Sequence, residues 1–166
     1  MREYLSRRAV LGLAIAGSAG SLMAVDFREP AGRFKAKTLD GELFNNDAIA
    51  GKVTLIQFWA TWCQYCRADQ SPVDQMVDEF GPQGLLVLAV DVGESKKKVK
   101  DYLAKSPRAC KIVLTEDTNL AAWYAVKKYP YYVLIDRNGK IAGTQNGAAG
   151  PDALRRLLRK AGLDVE

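Results

Sequence analysis

The side chains here that can do redox or nucleophilic sulfur chemistry are Cys63, Cys66 and Cys110, the three cysteines of the chain. Cys63 and Cys66 stand two residues apart in Phe58-Trp59-Ala60-Thr61-Trp62-Cys63-Gln64-Tyr65-Cys66. The run Val53-Thr54-Leu55-Ile56-Gln57-Phe58-Trp59 before them reads as a buried strand, and the residues after them have helical composition. A strand that delivers two thiols to the start of a helix builds a thiol–disulfide redox site. A purely structural disulfide is the competing reading, and the placement of the pair directly after a strand weighs against it. Histidine is absent. That removes histidine triads, imidazole acid–base catalysis and histidine-ligated zinc, iron or copper. A single CxxC also falls short of the four donors that structural zinc takes. Neither a metal nor a cofactor is expected beyond the Cys63–Cys66 disulfide itself.

The elements that must position these thiols fit one domain. A chain of 166 residues buries a sizeable core without disulfide staples. Its 48% apolar and 26% charged composition is that of an ordinary folded protein, which argues against disorder and coiled coil. The formal charge is +5, of which +2 lies in residues 1–24 (Arg2, Arg7 and Arg8 against Glu3), leaving +3. So small an excess, with no aromatic-interleaved basic stripe, gives no footprint for nucleic acid.

Residues 1–25 have the composition of an export signal or N-terminal anchor. Met1 to Arg8 is short and basic, Ala9 to Val25 is uncharged, and Asp26 restores polarity. Ser6-Arg7-Arg8-Ala9-Val10-Leu11 resembles a twin-arginine signal. Ala24 is the candidate cleavage point, with large Leu22 at the minus-three position, so an uncleaved anchor is the alternative. Export places the thiols in an oxidising compartment. Residues 26–37 read as a linker, and residues 38–166 as the folded domain.

Within that domain Thr38-Leu39-Asp40-Gly41-Glu42-Leu43-Phe44 predicts a small hairpin across an Asp-Gly turn. Val73, Met76, Val77 and Phe80 predict a helix over 67–80, kinked at Pro72. Leu85 to Val92 is a continuous apolar strand of the kind covered on both faces. Helices are predicted over 95–104, with Lys96-Lys97-Lys98 as a solvated face, and over 118–126, with a short strand from Cys110 to Leu114 between them. Tyr131–Asp136 and Ile141–Thr144 form a second hairpin across Asn138-Gly139, and an amphipathic helix from Pro151 to Leu163 closes the chain. The order describes an α/β fold with a mixed central sheet.

This order resembles the thioredoxin-like superfamily, and within it the exported TlpA/ResA-like thiol-disulfide oxidoreductases. The resemblance spans roughly Thr38 to Leu163. It rests on Gln57 to Cys66, on Tyr129-Pro130, and on Leu134-Ile135-Asp136-Arg137-Asn138-Gly139-Lys140. It implies a thioredoxin-like fold with helices flanking the sheet and an N-terminal β-hairpin extension. It also implies Cys63 as the attacking thiol, favoured as thiolate at a helix N-terminus, and Cys66 as the resolving thiol one turn on. Pro130 resembles the cis-proline that faces the CxxC and sets the Tyr129 backbone beside Cys63, where Trp62, Gln64 and Tyr65 complete a substrate-contacting rim. Tyr131 replaces a frequent threonine. Asp69 stands where ResA-like members often carry an active-site glutamate. At i+3 from Cys66 it shares a helix face with that thiol and is a candidate proton acceptor, a solvated surface acid being the alternative. Gln57 occupies the place of the buried aspartate of thioredoxins.

The resemblance implies disulfide exchange with protein thiols and disulfides, as a reductase re-reduced by a membrane-bound thiol donor, or as an oxidase or isomerase serving an acceptor. The expected form is a monomer at the periplasm or outer face of the cytoplasmic membrane. A thiol peroxidase ranks lower, because its Thr-x-x-Cys spacing is not met by Thr61 and Cys63. A copper-handling thioredoxin-like protein would need CxxxC and histidine. Cys110 is expected to be a small buried residue at a strand edge.

Overall fold

Seven strands form one sheet in the order β2-β1-β5-β4-β3-β6-β7 in the computed structural model, which describes residues 28–165. The export segment read from residues 1–25 lies outside the described residues. Strand β3 (Val53–Trp59) is central and buried along its whole length. It pairs in parallel with β4 (Leu85–Asp91) and antiparallel with β6 (Tyr131–Ile135). Strand β5 (Lys111–Thr118) runs parallel to β4, and β7 (Ile141–Asn146) closes one edge against β6. The other edge is the hairpin of β1 (Lys35–Thr38) and β2 (Leu43–Asn45).

The two-residue alternation of β3 divides the core. Val53, Leu55 and Trp59 pack against Val73, Met76 and Phe80 of α2 (Gln70–Phe80) and Leu154, Leu157 and Leu158 of α5 (Gly150–Arg159). Ile56 and Phe58 face the opposite layer, with Leu120 of α4 (Leu120–Trp123), Phe34 and Ala36. Sheet faces this apolar need helices on both sides, which explains the unbroken hydrophobic runs of β3 and β4. Val99 of α3 (Lys96–Leu103) joins the first layer, and Ser95 caps that helix through its hydroxyl.

Three boundaries differ from the expectations. Residues 28–37 are not a free linker: Ala31, Phe34 and Ala36 are buried, and β1 begins at Lys35. Backbone bonds from Ala31 N to Gly139 O (2.8 Å) and from Ile141 N to Glu29 O (2.8 Å) pin this arm to the β6–β7 turn. The helix expected over 67–80 is interrupted at Asp69, separating α1 (Gln64–Ala68) from α2. Pro72 is the cause, since it lacks the N–H that would bond the Ala68 carbonyl and its ring crowds that carbonyl. The helix expected over 118–126 shrinks to four residues, because Thr118 still belongs to β5 and Ala125 adopts a positive φ of 46°.

Candidate active site

Strand β3 ends at Trp59, and the chain turns through Ala60, Thr61 and Trp62 to reach Cys63. That turn is clamped from the end of β4. Thr61 donates through its N–H (2.6 Å) and its hydroxyl (2.7 Å) to the two carboxylate oxygens of Glu94, which also pairs with Lys98 (2.5 Å). The Thr61 hydroxyl is therefore committed to Glu94 and not aimed at a cysteine sulfur.

Cys63 is the N-cap of α1, in extended conformation (φ −79°, ψ 104°), and its sulfur accepts from the Cys66 N–H at 3.1 Å. Helix α1 spans only five residues. The local N–H to sulfur contact, rather than a long helix dipole, is thus what the backbone offers Cys63. Cys63 and Cys66 are joined as a disulfide with Cα atoms 5.2 Å apart. Cys63 is 5% exposed and Cys66 is fully covered, so the first sulfur is the one nearer solvent.

The wall opposite is the loop before β6. The Tyr129–Pro130 peptide bond is cis, as the resemblance implied. The Tyr129 ring meets the Trp62 ring edge-on with centroids 6.1 Å apart, bringing this loop alongside the cysteines. Gly147 N donates to Pro130 O at 2.9 Å. Trp62 and Tyr65 are 59% and 60% exposed, and Gln64 is exposed beside them. Five of the expected residues (Trp62, Cys63, Cys66, Tyr129 and Pro130) are thus brought together by contacts or bonds, with Gln64 and Tyr65 on the intervening turn.

Asp69 is buried, not a surface acid. Its Oδ2 accepts from the Tyr132 hydroxyl (2.7 Å) and Ala149 N (2.7 Å), and its Oδ1 accepts from Gly150 N (2.9 Å). Asp69 therefore ties the break between α1 and α2 to the first turn of α5. Behind it lies a chain of bonds that the sequence did not announce. Arg108 Nη2 donates to Gln57 Oε1 (3.3 Å), Gln57 Nε2 donates to the Tyr132 hydroxyl (3.1 Å), and that hydroxyl donates to Asp69. Burial first, then the bond to Asp69, pushes the Tyr132 hydroxyl far above its ordinary range, so it remains a donor. Arg108 is buried over the Trp59 ring (5.7 Å to the centroid) and pairs with Asp74 at 3.0 Å. Gln57 was visible in sequence as a polar residue inside an apolar strand. Arg108, in a loop 51 residues away, carried no signal.

At the end of β4, Asp91 is fully buried, and its Oδ1 accepts from Glu94 N at 3.2 Å. Burial, reinforced by the neighbouring Glu94 carboxylate, raises its carboxyl to about 7. Burial works to raise Glu94 too, but bonds from Lys98 and Thr61 and from Asp91 hold it down at about 2. Cys110 is buried as expected, and burial pushes its thiol up to about 11. A cavity of about 890 Å3 lies between Phe34, Asn46 and Asn119 and touches no cysteine.

Residues 27–144 match the model of the AhpC/TSA family. Among curated relatives, the thiol-disulfide oxidoreductase ResA of Geobacillus thermodenitrificans strain NG80-2 is 27% identical over 135 residues, covering 81% of this chain and 78% of that protein. Among solved structures, a thiol:disulfide interchange protein of the thioredoxin family from Chlorobium tepidum TLS superimposes with a TM-score of 0.72 at 23% identity, over 83% of this chain and 99% of the other. The exposed lipoprotein thioredoxin of Streptococcus pneumoniae strain TIGR4 superimposes with a TM-score of 0.68 at 25% identity, over 78% and 99%.

Proposed function

This chain belongs to the AhpC/TSA family, and on that premise we propose that it is a thiol-disulfide oxidoreductase of the cell envelope, exchanging disulfides with protein substrates and working as a reductase. The observation that carries the proposal is the asymmetry of the pair: Cys63 is the N-cap nearer solvent and Cys66 is covered, within disulfide reach. In the reduced protein the Cys63 thiolate attacks one sulfur of a substrate disulfide, forming a mixed disulfide and expelling the other sulfur as thiolate. Cys66, deprotonated, then attacks the Cys63 sulfur, releases the second substrate thiol and closes the Cys63–Cys66 disulfide. Two electrons pass to the substrate, and a membrane-bound thiol donor returns them. No other cofactor enters.

Trp62, Gln64, Tyr65 and the Tyr129–Pro130 backbone form the surface along which the substrate chain lies. A carboxylate has about four acceptor positions, and Asp69 uses three of them. The remaining one, on Oδ1, is where the Cys66 proton would go. The uncharged, Arg7-Arg8-led N-terminal segment supports export with the site outside the cytoplasm.

Incubated with disulfide substrates, the Cys66→Ser variant accumulates mixed disulfides through Cys63, and Cys63→Ser accumulates none. Trapping by Cys63→Ser instead would reverse the roles. A Cys63–Cys66 potential near thioredoxin's, roughly −270 mV, fits a reductase, and one near roughly −120 mV fits an oxidase.

A further inference from the structure

The loop that carries the cis-proline also carries two lysines that the exchange chemistry does not use. Lys127 and Lys128 are exposed and form no ion pair with any described residue. Together with Tyr124, Tyr131 and Asn146 they line a groove of about 280 Å3. This groove opens at the same end of the sheet as the disulfide. Tyr131 pairs with Phe58 near the end of β3 and with Asn146 at the end of β7, and Tyr129, next to Lys128, packs on Trp62. Because Tyr129 packs on Trp62 and adjoins Lys128 in the chain, a substrate strand following the rim from Cys63 runs toward the groove, advancing about 3.3 Å per extended residue.

The charge around this end is one-sided. Residues 60–68, 123–131 and 145–151 contain no aspartate or glutamate. Of the acids at this end, Glu94 is held by Thr61 and Lys98, Asp69 by Tyr132, Ala149 and Gly150, and Asp152 faces Arg155, while Glu116 and Asp117 lie on β5, separated from β6 by β4 and β3, and do not line the groove. Arg67 borders Asp74 and Asp78 in a different groove. What faces a docking chain is therefore open ammonium groups set among aromatic rings.

Resting on the exchange reading above, we propose that the preferred substrate is a polypeptide whose cysteine is flanked, a few residues away, by carboxylates and an aromatic side chain, which dock on Lys127, Lys128, Tyr124 and Tyr131. The carboxylates meet the two lysines. The apolar ring gains by covering tyrosine faces that are otherwise wet. Charge steering of this kind acts on the encounter rate and weakens with salt.

The test uses the full chain with Cys66→Ser, reduced, and three peptides of equal length. Each carries one cysteine as its mixed disulfide with thionitrobenzoate, flanked by Asp, Glu and Phe, by Lys, Arg and Phe, or by Gln, Ser and Phe. Cys63 thiolate takes the peptide sulfur and expels thionitrobenzoate, which is read by absorbance. The acidic peptide is expected to react about 10-fold faster than the basic one at low salt, with the ratio approaching unity near 0.5 M salt. Lys127→Glu with Lys128→Glu should invert the ratio, and Lys127→Gln with Lys128→Gln should bring it near one. Equal rates for all three peptides, or a ratio untouched by both double variants, would overturn the substrate class while leaving exchange intact. Release of no thionitrobenzoate from any peptide or from the symmetrical reagent would overturn the exchange reading, and this proposal with it.

Discussion

Replacing Asp69 by alanine should unfold a large share of the protein's stability, because its carboxylate holds three donors at once. The donors are not equivalent. Tyr132 is fully buried, so its hydroxyl finds no water in the variant, and an unsatisfied buried donor costs about 1–3 kcal/mol. Ala149 and Gly150 are only half-buried, and their N–H groups recover water, leaving a loss like that of a helix N-cap, about 0.5–2 kcal/mol for the two together. The sum is about 3 kcal/mol, against a total stability on the order of 5–15 kcal/mol for a domain. Urea unfolding followed by tryptophan fluorescence, with the Cys63–Cys66 disulfide kept closed in both proteins, measures the difference. Asp69→Asn keeps one acceptor oxygen and should lose about half as much. The double variant Asp69→Ala with Tyr132→Phe removes both ends of the Tyr132–Asp69 bond. It should lose about 1–2 kcal/mol less than the two single changes added together. An Asp69→Ala protein within about 0.5 kcal/mol of wild type would refute the assignment of Asp69 as the tie between the α1–α2 break and α5. The proton-acceptor role proposed for Asp69 is tested by the pH dependence of Cys66 alkylation, which Asp69→Asn should shift and a purely structural tie would leave unchanged.

Two further outcomes follow from the buried titratable groups. Asp91 titrates near 7 when folded and at its ordinary low value when unfolded. The folded state therefore holds the extra proton, and this group's contribution to stability falls as pH rises from about 4 to about 7. Glu94 acts in the opposite sense, contributing stability above about 4.5 that is lost as pH falls toward 2. Asp91→Asn should flatten the decline between pH 4 and pH 7, seen in urea midpoints at a series of pH values, and an unaltered decline would remove Asp91 as its source. Cys110, buried with its thiol raised to about 11, should resist iodoacetamide at pH 8 in folded protein and react once urea unfolds it. Mass spectrometry of the labelled protein decides this, and rapid labelling of the native form would contradict the burial.

Much of this protein was settled by local pattern alone. The apolar run of β3, the two-residue spacing of Cys63 and Cys66, and the turn residues of both hairpins are properties of short segments, and short segments are what sequence displays. Tyr129-Pro130 was legible because proline restricts its own backbone and that of the residue before it. Pro72 was legible as a disturbance, but the position of the break was not. The missing bond falls at Ala68, and the chain bends at Asp69, where a buried partner waited. The linker reading of residues 26–37 failed on its described part for a related reason. Isolated Ala31, Phe34 and Ala36 show no periodicity, and only the finished sheet gives them a surface to cover. Asp69, Gln57, Tyr132 and Arg108 meet across separations of 51 to 75 residues. Which of them touch depends on strand register and helix placement, and no spacing rule encodes that. The sequence by itself determined that two thiols stand at the start of a helix. The tertiary structure decided which sulfur lies nearer solvent and which buried donors Asp69 holds, because each of those is a matter of burial and of strand and helix placement.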